Sequence, residues 1–287
     1  MKYYVIPCTN PWWNMAFDEW LLQNGPDEPV FRLWRNEPSV IIGHNQVAAQ
    51  EVNLEYLQQH GIKLARRVTG GGAVYHDLQN MNYSFAGPIG SLDGAPPTPL
   101  GGSTSGAASA PLESSASGAP GGAALFASAL RSLGVPAELS GRNDIFVEGR
   151  KISGYARSVW HNRELVHGTL MYNVDIDTLT AALNVEGSSK LNLKGVASVR
   201  SRVTNVRDYL PQFSSLDELQ SALQAILMKV QNQPKTHFDP LRKPGESAKS
   251  AKNELSPSRL ELSKSQLAEI DKLASEKFAS NDWIYKQ

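Results

Sequence analysis

The chain has 287 residues, of which 41% are hydrophobic and 20% charged, and its 28 Lys plus Arg balance 28 Asp plus Glu. That length can bury a sizeable core, and the zero formal charge disfavours a protein that binds nucleic acid or an anionic membrane through excess positive charge. The single cysteine, Cys8, excludes an internal disulfide framework and a thiolate zinc cluster, and it points to a reducing, cytoplasmic setting.

Asn10 and Pro11 read as N-cap and first helical residue, and Trp13, Phe17, Trp20 and Leu21 recur on one face of a helix that ends near Gly25. Strands are expected over 30–34 and 40–42, then a helix from Asn53 to a Gly61 stop. A strand around Leu64–Arg67, a glycine cluster and a strand near Asn82–Phe85 follow. Over residues 88–122 the composition changes: 29 of 35 positions are Gly, Ala, Ser, Thr or Pro. Such a segment buries too little apolar surface to offset its ordering entropy, so a disordered surface insertion, spacer or lid, is expected.

A helix from Ala123 to Leu133, closed by Gly134, resumes the fold. Residues 143–175 read as consecutive strands with a hairpin turn at Glu148-Gly149. Helices at 216–230 and 263–278 close the chain, the second opened by a Ser263–Gln266 capping box, with a polar Pro, Lys and Ser-rich connection over 238–259 between them. No apolar run nears the roughly 18 residues of a membrane span, and residues 1–13 lack a secretory signal's basic start and apolar core. Strands and helices mix without a beta-alpha-beta rhythm, so the fold class is α+β, a mixed central sheet with packed helices.

Four stretches can carry chemistry. In Arg66-Arg67-Val68-Thr69-Gly70-Gly71-Gly72-Ala73-Val74-Tyr75-His76-Asp77, three glycines permit close backbone approach to a ligand and converging N–H groups, and two arginines offer forked donors for phosphate. Taken alone it is as readily a glycine-rich turn beside solvated arginines, and its spacing fits neither a P-loop nor a dinucleotide fingerprint. In Gly141-Arg142-Asn143-Asp144-Ile145-Phe146-Val147-Glu148-Gly149-Arg150-Lys151-Ile152-Ser153-Gly154, strict alternation puts Lys151 and Ser153 on one face and Ile152 on the other. A lysine turned inward there needs an anionic partner, whereas a lone lysine is ordinarily a surface charge. His167-Gly168-Thr169-Leu170-Met171-Tyr172 starts another strand, and 195–203 is basic and alternating, an exposed edge if taken alone.

Together, in this order, Arg-Arg-x-Thr-Gly-Gly-Gly-Ala-Val-x-His-Asp, Asn-Asp-Ile with Arg-Lys-x-Ser-Gly, His-Gly-Thr-Leu and Ser-Val-Arg-Ser-Arg-Val-Thr-Asn closely resemble the lipoate-protein ligase A family. The resemblance runs from Asn10-Pro11-Trp12 to Asn205 and, more weakly, to Trp283. It implies a biotin/lipoate protein ligase-like catalytic domain over 1–235 that carries the 88–122 insertion, completed by the connection and helix of 236–287. It also implies formation of lipoyl-AMP from lipoate (or octanoate) and ATP, and acyl transfer to a carrier lysine.

By the same resemblance Lys151 touches both acyl carbonyl and α-phosphate. Arg67, Thr69, Gly70, Gly71 and Gly72 surround the acyl-adenylate, His76 and His167 shape the pocket, and Trp34 walls the lipoyl tunnel. Asn143, Asp144 and Ser153 complete the set, with Asp144 as a Mg²⁺ contact. The implied partners are apo lipoyl domains of 2-oxoacid dehydrogenase E2 subunits or the glycine cleavage H protein, and a separate accessory-domain polypeptide, because no accessory domain follows Asp282-Trp283-Ile284-Tyr285. Neither nucleic acid nor a membrane is an expected partner. Three rivals remain: a transferase of the same fold that takes a preformed activated acyl donor, a biotin ligase, and a non-catalytic binding module. A cysteine-dependent transferase would need a thiol in the acyl pocket, and Cys8 matches no such position.

Overall fold

The computed structural model describes residues 1–92, 121–140, 143–183, 203–229 and 259–286. In chain order they form β1 (Lys2–Tyr4), α1 (Pro11–Asn24), β2 (Val30–Trp34), β3 (Ser39–Ile42), α2 (Ala48–Glu51), α3 (Leu54–Gln59), β4 (Lys63–Arg66), β5 (Val74–His76) and β6 (Asn80–Pro88). Then come α4 (Gly121–Ser132), β7 (Glu138–Ser140), β8 (Asp144–Val147), β9 (Arg150–Trp160), β10 (Arg163–Met171), α5 (Ile176–Ala182), α6 (Leu216–Lys229), β11 (Arg259–Leu260), α7 (Lys264–Leu273) and α8 (Asn281–Ile284).

Eight strands make one mixed sheet in the order β11-β1-β2-β6-β10-β9-β8-β7, and β4-β3-β5 make a second. Only β1 with its two neighbours, and β3 with β4, pair in parallel; the other ladders are antiparallel. The large sheet is covered on both faces, and alternation decides what each face meets. Phe31, Leu33, Met81, Tyr83, Phe85, Val166 and Leu170 face one core, filled by Phe126 and Leu130 of α4 and Leu219, Leu223 and Leu227 of α6. Val30, Trp34, Ala86 and Leu165 face the other, where α1 packs Phe17, Trp20 and Leu21 together with Ile41 and Ala65 of the small sheet. Between those apolar positions the second face also carries Arg32, Asn82, Ser84 and His167, all buried. A sheet face with that many buried polar groups is where a ligand is to be sought.

Local sequence accounts for the element ends. Asn10 caps α1 by accepting from the Trp12 and Trp13 amides, with Pro11 in the first turn. Asn53 caps α3, and Gly61 leaves it at φ +63. Ser263 and Gln266 form the reciprocal capping box of α7. The β8–β9 hairpin turns through Glu148 and Gly149, at φ 50 and 72, so both central residues occupy the left-handed region that a two-residue turn of this type requires.

The 88–122 insertion is narrower than composition suggests. Pro88 ends β6, Leu92 is buried in the core, and Gly121 and Gly122 open α4. Its centre, 93–120, lies outside the described residues, as do 195–202 and most of the expected connection, 238–258. Among the described residues no helix is long and apolar enough to cross a membrane.

Candidate active site

A cavity of about 310 Å³ opens on the α1 face of the large sheet, beneath the loop that joins β4 to β5. Its floor crosses five adjacent strands, from Trp34 on β2 through Asn82 on β6, Gly168 and Thr169 on β10 and Gly154 on β9 to Asp144 on β8. At about 4.8 Å per strand spacing that is ~19 Å of floor, long enough to seat an extended ligand. Met15, Trp34, Ile41 and Val74 line one side, and Asn143, Asp144, Lys151 and Gly71 the other.

The polar side is built by the β8–β9 hairpin. Lys151 Nζ lies 2.7 Å from Asp144 Oδ1, with both side chains about one-fifth exposed. Lys151 pairs with Phe146, and Ser153 with Ile145, because one extra residue in β9 bulges between them. Adjacent residues of β8 point to opposite faces, so Lys151 and Ser153 do too. The expectation that they share a face is therefore wrong. Ser153 turns into the core, its hydroxyl 3.3 Å from the Tyr83 hydroxyl, and does not line the cavity. The bulge returns Gly154 to the side of Lys151, where a Cβ would lie 3.0 Å from the ammonium. Thr204 N donates to Lys151 O at 2.9 Å, which joins the end of the fourth motif to this strand.

The glycine loop is held from below. Arg67 donates to Gly70 O and Gly72 O at 2.8 and 2.7 Å, to Ile41 O at 3.0 Å and to Thr69 Oγ1 at 3.1 Å. Burial lowers its pKa to about 10, so it keeps its charge at neutral pH. Because the peptide is planar and trans, turning Gly70 C=O onto Arg67 directs Gly71 N–H away from it. Gly71 has φ +96, and a Cβ on neighbouring Gly43 would stand 2.1 Å from Gly71 O, so both positions require glycine. Gly71 and Gly72 line the cavity, whereas Thr69 and Gly70 support the loop from behind.

Arg66 departs from the phosphate-facing role its position suggests. Its guanidinium is buried and donates to Gly43, His44 and Gln46 carbonyls on one side and to Trp283, Ile284 and Lys286 carbonyls on the other. It ties the C-terminal segment to the β3–α2 turn. Arg66→Met strands those carbonyls and is expected to cost about 2–3 kcal/mol, read as a thermal midpoint lowered by roughly 5–10 °C; a midpoint within a degree of wild type would refute the clamp.

Thr69, His167, Asp18 and Arg32 form one buried chain. The Thr69 hydroxyl lies 2.7 Å from His167 Nε2, and His167 Nδ1 lies 2.7 Å from Asp18 Oδ2. Asp18 Oδ1 accepts from Arg32 at 2.8 Å and from Ser84 Oγ at 2.8 Å, and Ser84 Oγ accepts from the Trp34 indole at 2.9 Å. The Arg32 guanidinium is sandwiched between Phe17 and Trp34, 4.6 and 4.4 Å from their ring centroids. Thus α1, β2, β6, β10 and the glycine loop are locked to one another through a single carboxylate. Beside it His76 is buried against Trp34, with ring centroids 6.3 Å apart. Burial, and then the charge of Arg67 and the His167 ring, hold His76 down at about 3, so it is neutral at physiological pH.

Of the residues expected from sequence, Trp34, Arg67, Gly71, Gly72, His76, Asn143, Asp144, Lys151 and His167 meet at the cavity. Asp18, Arg32, Asn36 and Asn82 were missed. The first helix held a usable signal: Asn14 and Asp18 recur at i, i+4 on a helix otherwise apolar there, and Arg32 alternates with core positions in β2. Cys8 does not line the cavity, and burial pushes its thiol pKa up, opposite to what a nucleophile needs.

Comparison with known proteins follows the same residues. The model of the lipoyl protein ligase A/B catalytic domain matches 10–93 and 122–227. A lipoate-protein ligase of Bacillus subtilis is 39% identical over 73% of this chain, which spans 57% of that protein's length. A probable lipoate-protein ligase A of Mycoplasma pneumoniae is 32% identical over 99% of this chain and 72% of its own length. A crystal structure of lipoate-protein ligase A bound with ATP superposes with a TM-score of 0.66 at 25% identity, covering 99% of this chain and 98% of that one.

Proposed function

Because this chain belongs to the lipoyl protein ligase A/B catalytic-domain family, we propose that it uses ATP to activate lipoate, or octanoate, and transfers the acyl group to a lysine of a carrier domain. The observation that carries this reading is Lys151, among the described residues the one ammonium lining a cavity that Met15, Trp34, Ile41 and Val74 wall on its opposite side. A free carboxylate is a poor electrophile, because its charge repels nucleophiles and its leaving group would be oxide. Attack of the acyl carboxylate on the α-phosphate, with pyrophosphate leaving, gives a mixed anhydride whose leaving group is AMP. An ammonium between carbonyl and α-phosphate would stabilise the charge that develops in both half-reactions. The glycine loop would bring backbone amides to the phosphate, and Asn143 lies across from Gly71 to close the far side.

Mg²⁺ would enter with the nucleotide. A magnesium ion carried on phosphates needs only one or two protein carboxylates, and Asp144 supplies one in the cavity; among the described residues no cluster of three His, Cys, Asp or Glu forms a separate cage. Lys151, paired with Asp144 here, would exchange that partner for phosphate. In the second half-reaction the carrier amine attacks the anhydride carbonyl, AMP leaves, and a phosphate oxygen takes the proton. The carriers we propose are apo lipoyl domains of 2-oxoacid dehydrogenase E2 subunits or the glycine cleavage H protein, met in the cytoplasm. A separate accessory polypeptide is a further partner we propose.

Incubation of the purified chain with ATP, Mg²⁺ and lipoate, with and without an apo lipoyl domain, tests this by mass spectrometry. Lipoyl-AMP and then a modified carrier lysine are expected. Transfer only from added lipoyl-AMP would favour the transferase that takes a preformed donor, and no transfer from either source would defeat the proposal.

A further inference from the structure

The turn that follows β3 backs the glycine loop, with His44 N donating to Thr69 O at 2.8 Å, and on that turn His44 meets the C-terminal segment. Lys286 Nζ lies 2.8 Å from His44 Nε2, and His44 Nδ1 lies 2.7 Å from Asn45 Oδ1. An ammonium can only donate, so Nε2 accepts and is bare; the ring proton is on Nδ1, where the Asn45 carbonyl receives it. A lysine nitrogen, a ring nitrogen and an amide oxygen thus stand in the order nucleophile, base and group that orients the base. The backbone holds the arrangement as well: Arg66 donates to His44 O at 2.9 Å and to Lys286 O at 3.2 Å.

The surroundings favour the neutral amine. Lys277 and Lys286 share the Trp283 ring, at 4.2 and 3.9 Å from its centroid; Lys277 has Glu19 at 2.7 Å, whereas among the described residues no carboxylate pairs with Lys286. Partial burial, and then the charges of Arg66 and Lys277, lower the Lys286 pKa to about 8, with Glu19 opposing; the Trp283 ring, which attracts an ammonium, opposes too. At pH 7.5 about a quarter of such an amine is neutral, against about one in a thousand of a lysine at the ordinary 10.5.

We infer that Lys286 is a self-acylation site, whose amine, with His44 as base, takes the acyl group from an acyl-adenylate. This rests on the proposed adenylation for its acyl donor and adds a second acceptor. Neither side chain lines the cavity, so the donor is adenylate that has left it. The neutral Nζ attacks the carbonyl carbon, the bond from that carbon to the phosphate oxygen breaks, and AMP leaves with the electron pair. The proton shed by the nitrogen passes to His44 Nε2, and an amide remains.

Excess chemically prepared lipoyl-AMP, incubated with the wild-type chain at several pH values and followed by peptide mass spectrometry, is the test. Near neutral pH Lys286 is expected to be acylated about tenfold faster than Lys264 and Lys272, exposed on α7; its neutral fraction is larger by more than that, but a less basic amine is a weaker nucleophile. Its rate should level off above about pH 8, whereas theirs keep rising. His44→Gln, which can still accept the bond but cannot take the proton, should slow position 286 by at least about tenfold, a conservative share of what a positioned base contributes. Lys286 modified no faster than the exposed lysines overturns the inference, and so does an unchanged rate in folded His44→Gln. The comparison among lysines needs only the wild type, so it decides even where the variant does not fold. A parallel incubation with ATP, Mg²⁺ and lipoate separates the two proposals. Lipoyl-AMP formed there with Lys286 left unmodified overturns the inference alone, whereas acylation of Lys286 by added lipoyl-AMP, with none formed from ATP and lipoate, removes the adenylation reading and leaves the site standing.

Discussion

Lys151→Ala is expected to lower lipoyl-AMP formation by at least 10²–10³-fold, the usual loss when one preorganised charge-stabilising donor is removed from an active site. The geometry makes the effect specific. Among the described residues Lys151 is the ammonium on the polar side of the cavity, and its present partner, Asp144, sits on the adjacent strand. Deleting the amine leaves the Asp144 carboxylate without its partner, and that charge repels both a carboxylate and a phosphate, so substrate binding falls along with the chemistry. Lys151→Arg keeps the charge but replaces a compact ammonium by a planar fork, which cannot place its charge at the same point. It should recover only a small part of the activity. Pyrophosphate release and mass spectrometry of the ester check both variants, with circular dichroism confirming the fold; wild-type release by Lys151→Ala would remove this residue from the mechanism.

Asp18→Ala is expected to destabilise the protein by about 3–5 kcal/mol, the cost of breaking a buried ion pair by removing one partner. Arg32 would stay fully buried with only Asn14 to receive its N–H groups, and His167 would lose the acceptor that fixes its ring. The loss should reach the cavity, since Thr69 and Trp34 are tied to the same carboxylate through His167 and Ser84. The pH dependence has a defined sign. Burial pushes the Asp18 carboxyl up, but the Arg32 charge, the bond from His167 and the Ser84 hydroxyl outweigh it and hold the pKa below the ordinary value. A group lowered by folding supplies stability above its unfolded pKa, near 3.9, and loses it as pH falls through the folded value. The urea-unfolding difference between wild type and Asp18→Asn should therefore be greatest near neutrality and shrink below about pH 4. A difference that grows on acidification would contradict the pairing.

Local chemistry was legible wherever a residue's role is set by its neighbours in sequence. Asn10-Pro11 and the Ser263–Gln266 pair read as caps and are caps, Asn53, which reads as the start of a helix, caps it, and Glu148-Gly149 reads as a turn and is one. The short elements β1, β5, β7 and β11 left no signal, because two or three residues do not establish a period and their strand state comes from the partners they meet. The four motifs announced a ligand site, yet could not say which of two adjacent arginines would face it. Arg66 and Arg67 are alike in sequence; one clamps the C-terminal segment and the other carries the glycine loop.

By itself the sequence determined the α+β class, the family and the position of the lysine that lines the cavity, because these rest on short-range patterns and on ordered motifs. Tertiary structure alone decided that Ser153 turns away from Lys151, that one buried aspartate joins five elements, and that Arg66 clamps the C-terminal segment. Each of these depends on a bulge, an ion pair or a set of carbonyls supplied by groups far apart in the chain. No local pattern encodes them, since their energies exist only after distant strands have come into register.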